Sequence, residues 1–275
     1  MLSNYSPIGV IDSGIGGLTV VKELQKLLPH EDILFFGDNK NVPYGNKTLE
    51  QITVLTRRML DKLVENNIKV IVIACNTISS MISTMRENYD VELIGIIAPA
   101  ISAIKTNEEN DDIGLLATKF TVNSKAYDIE AKRQNKDVHI ISEGSAELAE
   151  MIENLEYKNV NIEEIIRRHI SFITSKGSVD TVILGCTHYP ILMDMFKDCC
   201  PGIKFIDPAY QQALSVREYL SRTGLLNDKE DAGSFEIYTS GSQGKYMELI
   251  SELNMKKPDK ITVYNVICPM DRNMD

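Results

Sequence analysis

Two cysteines, Cys75 and Cys186, are the residues of this chain whose type and setting best suit chemistry. Each follows a short apolar run predicted to be a buried strand, and each is followed by polar residues, as Cys-Asn-Thr or Cys-Thr-His. Each also begins a segment of helical pattern, and a helix N-terminus favours a thiolate. If both thiols reach one small ligand from opposite sides, one can remove a proton from a carbon centre while the other supplies one. Such a pair predicts inversion of a stereocentre that bears hydrogen.

Polar residues stand at the ends of four predicted strands, where an open parallel sheet forms its ligand crevice. These residues are Asp12, Ser13, Cys75, Asn76, Thr77, Thr118, Thr121, Cys186, Thr187 and His188. We expect Asp12 to orient or assist Cys75. His188 is expected to do the same for Cys186. The amide and hydroxyl groups can hold the carboxylates and the ammonium group of an amino acid, although Asp, Ser and Thr also cap helices.

Short runs rich in Val and Ile alternate with segments of helical period, which is typical of βα units around a mostly parallel sheet. The first predicted strands are 8–12, 33–36 and 70–74, and the first predicted helices are 18–28, 49–66 and 78–88. Residues 8–11 are echoed by 113–116, and residues 72–75 by 183–186. An internal duplication explains both echoes, as does chance similarity between apolar strands.

The predicted fold is α/β, with two similar doubly wound domains of mostly parallel sheets. If the two halves face each other, the active site lies in the cleft between them. The tail after residue 210 contains predicted strands at 235–239 and 261–266 and is too short for a third domain. We therefore assign residues 1–98 with 210–275 to the first domain and residues 99–209 to the second.

Composition excludes several classes of partner. A net charge of -10 opposes nucleic-acid binding, and the longest apolar runs reach about half of the ~20 residues that a membrane span needs. The five cysteines include no C-x-x-C pair, so we predict no zinc site. With no apolar leader after Met1, we expect free thiols and a cytoplasmic protein. The turn at 14–17 is not G-x-G-x-x-G, which argues against a dinucleotide.

Five motifs then occur in the order and spacing of one family. They are Asp-Ser-Gly-Ile-Gly-Gly at 12–17, Pro-Tyr-Gly at 43–45, Ala-Cys-Asn-Thr at 74–77, Thr-Lys-Phe-Thr-Val-Asn-Ser at 118–124 and Gly-Cys-Thr-His-Tyr-Pro at 185–190. The chain resembles bacterial glutamate racemase, a cofactor-independent member of the aspartate/glutamate racemase superfamily. The resemblance implies that Cys75 acts on D-glutamate and Cys186 on L-glutamate, with help from Asp12 and His188.

The resemblance also implies substrate contacts, partners and a biological role. The implied contacts are Asp12, Ser13, Pro43, Tyr44, Gly45, Asn76, Thr77, Thr118, Thr121, Thr187 and His188. No cofactor or metal is expected, and the partner is a small molecule, glutamate, rather than nucleic acid or membrane. Similar enzymes supply D-glutamate for peptidoglycan synthesis and are often homodimers.

One segment departs from the family. Similar glutamate racemases carry a Cys-Pro-Leu-Phe-Val-Pro-Leu-Val-Glu type segment where this chain has residues 140–152, Ile-Ile-Ser-Glu-Gly-Ser-Ala-Glu-Leu-Ala-Glu-Met-Ile. Aspartate or a broader range of amino acids is therefore the alternative substrate. Similar aspartate racemases tend to lack the His-Tyr-Pro found here at 188–190, which favours glutamate.

Two other classes of protein remain open at this stage. A hydrolase would use Cys186 as nucleophile and His188 as base, and would not need Cys75. A binding protein would hold its ligand in the interdomain cleft without chemistry.

Overall fold

The computed structural model describes residues 3–104 and 112–264. Within them the strands are β1 (Ile8–Asp12), β2 (Ile33–Gly37), β3 (Val70–Ile73), β4 (Leu93–Gly95), β5 (Asp112–Thr118), β6 (His139–Ser145), β7 (Thr181–Gly185), β8 (Lys204–Ile206), β9 (Phe235–Thr239) and β10 (Lys260–Val263). The last two residues of the strand predicted at 261–266 lie outside the described residues.

The α-helices of the same residues mostly follow the strands one by one. They are α1 (Leu18–Leu27), α2 (Leu49–Val64), α3 (Asn76–Ser79), α4 (Ile97–Ser102), α5 (Lys119–Ser124), α6 (Ala126–Arg133), α7 (Leu148–Glu153), α8 (Glu163–Thr174), α9 (Met193–Cys199), α10 (Ala209–Thr223) and α11 (Gln243–Glu252). None of these described helices combines the length and the apolar character needed to cross a bilayer.

The described strands form two sheets in which every pair is parallel. The larger sheet has the order β10-β9-β2-β1-β3-β4, and the smaller has the order β6-β5-β7-β8. The predicted α/β class with parallel sheets is confirmed. Residues 235–263 add β9 and β10 to the larger sheet, whose other strands all come from residues 8–95. The boundaries of the two domains stay a prediction.

The two sheets repeat one arrangement of four strands. The order β2-β1-β3-β4 in the larger sheet has the same sense as β6-β5-β7-β8 in the smaller one. In each, the chain places its second strand on one side of the first and its third strand on the other. The crevice of a doubly wound sheet opens at this reversal, between the carboxyl ends of the first and third strands. Cys75 and Cys186 follow the third strand of their respective sheets.

Burial explains why the central strands are nearly continuous apolar runs. All five residues of β1 and all four of β3 are buried, as expected for parallel strands with helices on both faces. One apolar cluster joins the sheets, because it includes Val70 of the larger sheet, Ile101 of α4 and Ile183 of the smaller sheet. This shared core holds the two sets of strand ends in a fixed relation.

The helix predicted at 78–88 is wrong. The chain forms the short α3 and then two 3₁₀ turns, Ile82–Thr84 and Arg86–Asn88. Hydroxyl side chains compete for the backbone here, since Ser80 donates to the carbonyl of Thr77 at 2.8 Å and Thr84 to that of Met81 at 2.8 Å. Local side-chain bonds of this kind offer the backbone an alternative to a continuous helix.

Candidate active site

The cavity between the carboxyl ends of the two sheets brings most of the predicted site together. Eleven of the thirteen predicted residues line it: Ser13, Pro43, Tyr44, Gly45, Cys75, Asn76, Thr77, Thr118, Cys186, Thr187 and His188. The other two, Asp12 and Thr121, are buried and hydrogen-bond to Thr187 and to Thr118, respectively. Val42 and Ala149 complete the lining. The cavity measures about 20 Å³, which is the space of about one water molecule.

Cys75 presents a buried thiol on the side of the larger sheet. Its Sγ lies 3.5 Å from the hydroxyl oxygen of Ser13, which follows β1. Burial, together with the neighbouring Asp12 carboxylate, raises the pKa of Cys75 to about 12 against the opposing effect of the hydrogen bond from Ser13. Cys75 is therefore held as a neutral thiol, the form that can supply a proton.

Cys186 lies on the side of the smaller sheet beside an imidazole. The distance from its Sγ to Nδ1 of His188 is 3.6 Å, and both residues are buried. Burial by itself lowers the pKa of His188, but the hydrogen bonds to Cys186 and to Glu153 raise it well above the ordinary value. The ring lies beside the sulfur of Cys186, whose thiolate form can remove a proton.

Glu153 is a site residue that the sequence prediction missed. Its Oε2 lies 2.7 Å from Nε2 of His188 and accepts a hydrogen bond from the backbone N–H of Ile15 at 2.9 Å. The side chain is buried, and it reaches from α7 to the turn after β1. A signal was present, because the family segment ends in Glu and a Glu directly follows Ile152 here. The departing residues thus form β6 and α7, and α7 ends on this carboxylate.

Asp12 ties the two sheets together. Its Oδ1 accepts from the backbone N–H of Gly14 at 2.9 Å, and its Oδ2 accepts from the hydroxyl of Thr187 at 3.0 Å. Burial raises the pKa of Asp12 to about 6, although the charge on His188 lowers it. The expected assistance to Cys75 is electrostatic in this geometry, because the Asp12 carboxylate favours the neutral thiol.

Three threonine hydroxyls converge beside the cavity. Oγ1 of Thr77 lies 3.0 Å from that of Thr118 and 3.4 Å from that of Thr121. Thr118 also caps α5, since its hydroxyl accepts from the backbone N–H of Thr121. Thr77 comes from the larger sheet and the other two from the smaller, so a polar ligand here would contact both.

Asn76 offers a free donor to this cavity. Its Oδ1 accepts a hydrogen bond from the hydroxyl of Tyr127 at 2.6 Å, while its buried Nδ2 has no partner among residues 3–104 and 112–264. A buried amide N–H without a partner is costly, so this group is suited to a ligand carboxylate. Tyr127, on α6, was not among the predicted residues.

In the segment 43–45, the one side-chain hydroxyl already has a hydrogen-bond partner. The hydroxyl of Tyr44 donates to the buried Asp38 at 2.7 Å and is thereby occupied. A Cβ on Gly45 would lie 2.5 Å from Cβ of Thr118, so only glycine allows this close approach of the two loops.

The described residues contain no group of three or more His, Cys, Asp or Glu side chains placed to hold a metal ion.

Comparison with known proteins now decides the family. The family model described as Asp/Glu/Hydantoin racemase matches residues 8–213. The chain belongs to this family. It is 36% identical over 245 residues to a glutamate racemase of Lactobacillus helveticus, covering 88% of this chain and 91% of that protein. It is 37% identical over 244 residues to a glutamate racemase of Fusobacterium nucleatum, with 88% and 91% covered.

A solved structure agrees with this assignment. The glutamate racemase of Francisella tularensis in complex with D-glutamate has a TM-score of 0.85 and 29% sequence identity, covering 96% of this chain and 98% of that one. The resemblance inferred from the motifs is therefore confirmed, and the family member described here is a racemase, an isomerase.

Proposed function

We propose that this racemase interconverts L-glutamate and D-glutamate with Cys75 and Cys186 as its two acid–base groups and without metal or organic cofactor. The observation that carries the proposal is that both thiols line one cavity. Each follows the third strand of its own sheet, and the two sheets have the same strand order. Glutamate is the substrate named for the relatives, and D-glutamate is bound in the Francisella tularensis enzyme.

The raised pKa of Cys75 favours a starting form of the enzyme in which this residue is a thiol. In the direction from L to D, the thiolate of Cys186 takes the α-proton and the thiol of Cys75 gives its proton to the opposite face of the carbon. The raised pKa of Cys75 supports its role as the acid in this direction. One turnover leaves Cys75 as thiolate and Cys186 as thiol, which is the form that acts on D-glutamate.

The carbanion that forms between these steps needs electrostatic support. Negative charge develops on the α-carbon and spreads into its carboxylate, so donors aimed at that carboxylate stabilise the transition state. The Nδ2 of Asn76, which has no partner within the described part of the chain, can serve as such a donor, and Thr77 and Thr118 line the same cavity.

Substrate entry requires movement. A cavity of about 20 Å³ is too small for an amino acid, so the loops from the two sheets must separate before binding and close afterwards. Closure would also exclude water, which strengthens every charge interaction in the site.

Aspartate stays the alternative substrate. Ala149, on the α7 helix of the departing segment, lines the cavity and offers a small side chain there. This position can determine how long a side chain the site accepts, so both amino acids have to be assayed.

Incubation of the purified protein with L-glutamate in heavy water tests the proposal. We expect D-glutamate with deuterium at the α-carbon, and the mirror result from D-glutamate, without added pyridoxal phosphate. Absence of exchange and inversion would overturn it. Faster inversion of aspartate would select the alternative.

Single-cysteine variants test the two roles. Cys75→Ala and Cys186→Ala are each expected to abolish turnover in both directions, because each direction uses both groups. Cys200→Ala is the matched control, since this thiol is free and lies outside the cavity lining. A normal rate in either of the first two variants would refute the role of that cysteine.

We further propose, from the resemblance, that the D-glutamate supplies peptidoglycan synthesis in the cytoplasm and that the chain assembles as a homodimer. Sedimentation analysis of the purified protein tests the dimer. Depletion of the protein in its own cells, with rescue by D-glutamate, tests the supply role.

A further inference from the structure

Asn39 lies directly behind the carboxylate that contacts His188. It follows β2 and stands in a 3₁₀ turn, Asn39–Asn41. Its Nδ2 donates to Oε1 of Glu153 at 2.5 Å. Its Oδ1 accepts from the hydroxyl of Thr239 at 2.9 Å and from the hydroxyl of Tyr246. One amide thus connects α7 with the C-terminal β9 and α11.

The orientation of this amide follows from its partners. A carboxylate accepts hydrogen bonds and a tyrosine hydroxyl has one hydrogen to give, so the NH₂ group must face Glu153 and the oxygen must face Tyr246. Both oxygens of Glu153 are then assigned, Oε1 to Asn39 and Oε2 to His188 and Ile15. The carboxylate has no freedom to rotate away from the imidazole.

We propose that Asn39 is a positioning residue that holds Glu153 against His188, an inference that rests on the proposed role of Cys186 as an acid–base group. Asn39 acts through Glu153 and His188, and reaches the thiol only by way of them. Through these contacts β9 and α11 help to position His188 beside Cys186, the acid–base group that follows a strand of the smaller sheet.

Asn39→Asp keeps the hydrogen-bond acceptor of this side chain and removes its donor. The substitution nearly preserves shape and leaves an oxygen that accepts from Thr239 and Tyr246, but it replaces the donor by an oxygen facing Glu153. Two carboxylates this close share one proton at low pH and repel each other once that proton is lost. We expect kcat to fall about 10- to 100-fold at alkaline pH, the range for loss of one hydrogen bond to a charged group.

The pH profile distinguishes positioning from a structural role. As the pH falls, the introduced carboxylate and Glu153 are expected to share a proton, so kcat of the variant approaches that of the parent. Other titratable groups lie near the same place: Asp12, His188, Tyr246, Asp38 and Lys245. All of them are present in both proteins, so the ratio of the two profiles isolates the new pair. A loss that is constant with pH would overturn the proposal.

Asn154→Asp is the matched control. It adds the same charge one residue from Glu153, but its side chain is exposed, where Asn154 accepts a hydrogen bond from Lys245. We expect a rate within about twofold of the parent, because exposed charges are screened. Asn39→Ala serves if the aspartate variant does not fold; it should lose rate at every pH, and an unchanged rate would overturn the proposal.

A double variant tests the route of the effect. If Asn39 acts through Glu153, Asn39→Asp should cost little further rate once Glu153→Gln is in place, because the two changes affect one interaction. Independent losses that multiply would contradict that route.

Nuclear magnetic resonance of ¹⁵N-histidine supplies a readout that does not need turnover. We expect the Nε2–H resonance of His188 to shift with pH in Asn39→Asp. In Asn154→Asp the same resonance should keep the pH dependence of the parent. If the parent protein does not racemise glutamate, only the proposed function is overturned. If the His188 resonance of Asn39→Asp is the same as in the parent, the role of Asn39 is overturned.

Discussion

Thr187 donates its hydroxyl hydrogen to Asp12 across the cleft, with 3.0 Å between Oγ1 and Oδ2. Thr187 follows the second cysteine on the smaller sheet, whereas Asp12 ends β1 in the larger sheet. The bond joins the two sheets at a carboxylate that is completely buried. The electrostatic state of Asp12 therefore depends on the two halves being together.

Asp12→Asn is expected to lower the racemisation rate at least tenfold and to raise stability above pH 6. Burial raises the pKa of Asp12 to about 6 from 3.8, so the folded protein holds a proton that the unfolded chain releases. The resulting stabilisation is complete below about pH 3.8 and is lost as the pH rises through about 6. At pH 8 the variant should gain up to about 3 kcal/mol in free energy of unfolding. Urea unfolding at pH 5 and pH 8 measures this.

Asp207→Asn is the control for that prediction. Burial also raises the pKa of Asp207 to about 6, but this residue precedes α10 and lies outside the cavity lining. The same sign of stability change with an undiminished rate is expected. An Asp12→Asn variant that keeps full activity would remove Asp12 from the site.

Cys75 should react slowly with an alkylating reagent in the folded protein. With a pKa of about 12, roughly one thiol in ten thousand is ionised at pH 8, and the thiolate is the reactive form. Mass spectrometry of iodoacetamide-treated protein should find the partly exposed Cys200 modified before the buried Cys75. Rapid modification of Cys75 at pH 8 would contradict the neutral thiol.

Tyr127→Phe should lower kcat/KM by roughly tenfold, because Asn76 loses the hydrogen bond that fixes the orientation of its amide group. Enantiomers have equal free energy in an achiral solvent, so kcat/KM must fall by the same factor for L- and D-glutamate. Polarimetric assays in both directions measure this. Tyr89→Phe removes a similar bond, to Asp61 at 2.8 Å outside the cavity lining, and should leave the rate unchanged. Equal effects of the two variants would count against the role of Tyr127.

Lys69→Met should destabilise the protein by about 3–5 kcal/mol, because it leaves Glu31 charged and buried. The Lys69 Nζ lies 2.5 Å from Oε2 of Glu31, and both side chains are almost fully buried. Lys26→Met breaks an exposed pair with Glu23 and should cost less than about 1 kcal/mol. Guanidinium unfolding compares them, and similar costs would show that burial does not strengthen the first pair.

Local pattern predicted much of the fold. The bounds expected for β1 and β9 match the structure residue for residue, because buried parallel strands are continuous apolar runs between turns. The helix expected at 78–88 fails because serine and threonine side chains bond to nearby carbonyls, which apolar periodicity does not register. The shared order of the two sheets supports duplication as the source of the sequence echoes.

By itself, the sequence determined which residues stand at the strand ends, since a polar residue after an apolar run is a local property of the chain. Only the tertiary structure decided how those residues are charged and oriented. Glu153 meets His188 from 35 positions away and Asn39 from 114, and neither separation follows any helical or strand period. The high pKa of Cys75 likewise comes from burial between two sheets, because desolvation depends on everything that surrounds a group and not on its neighbours along the chain.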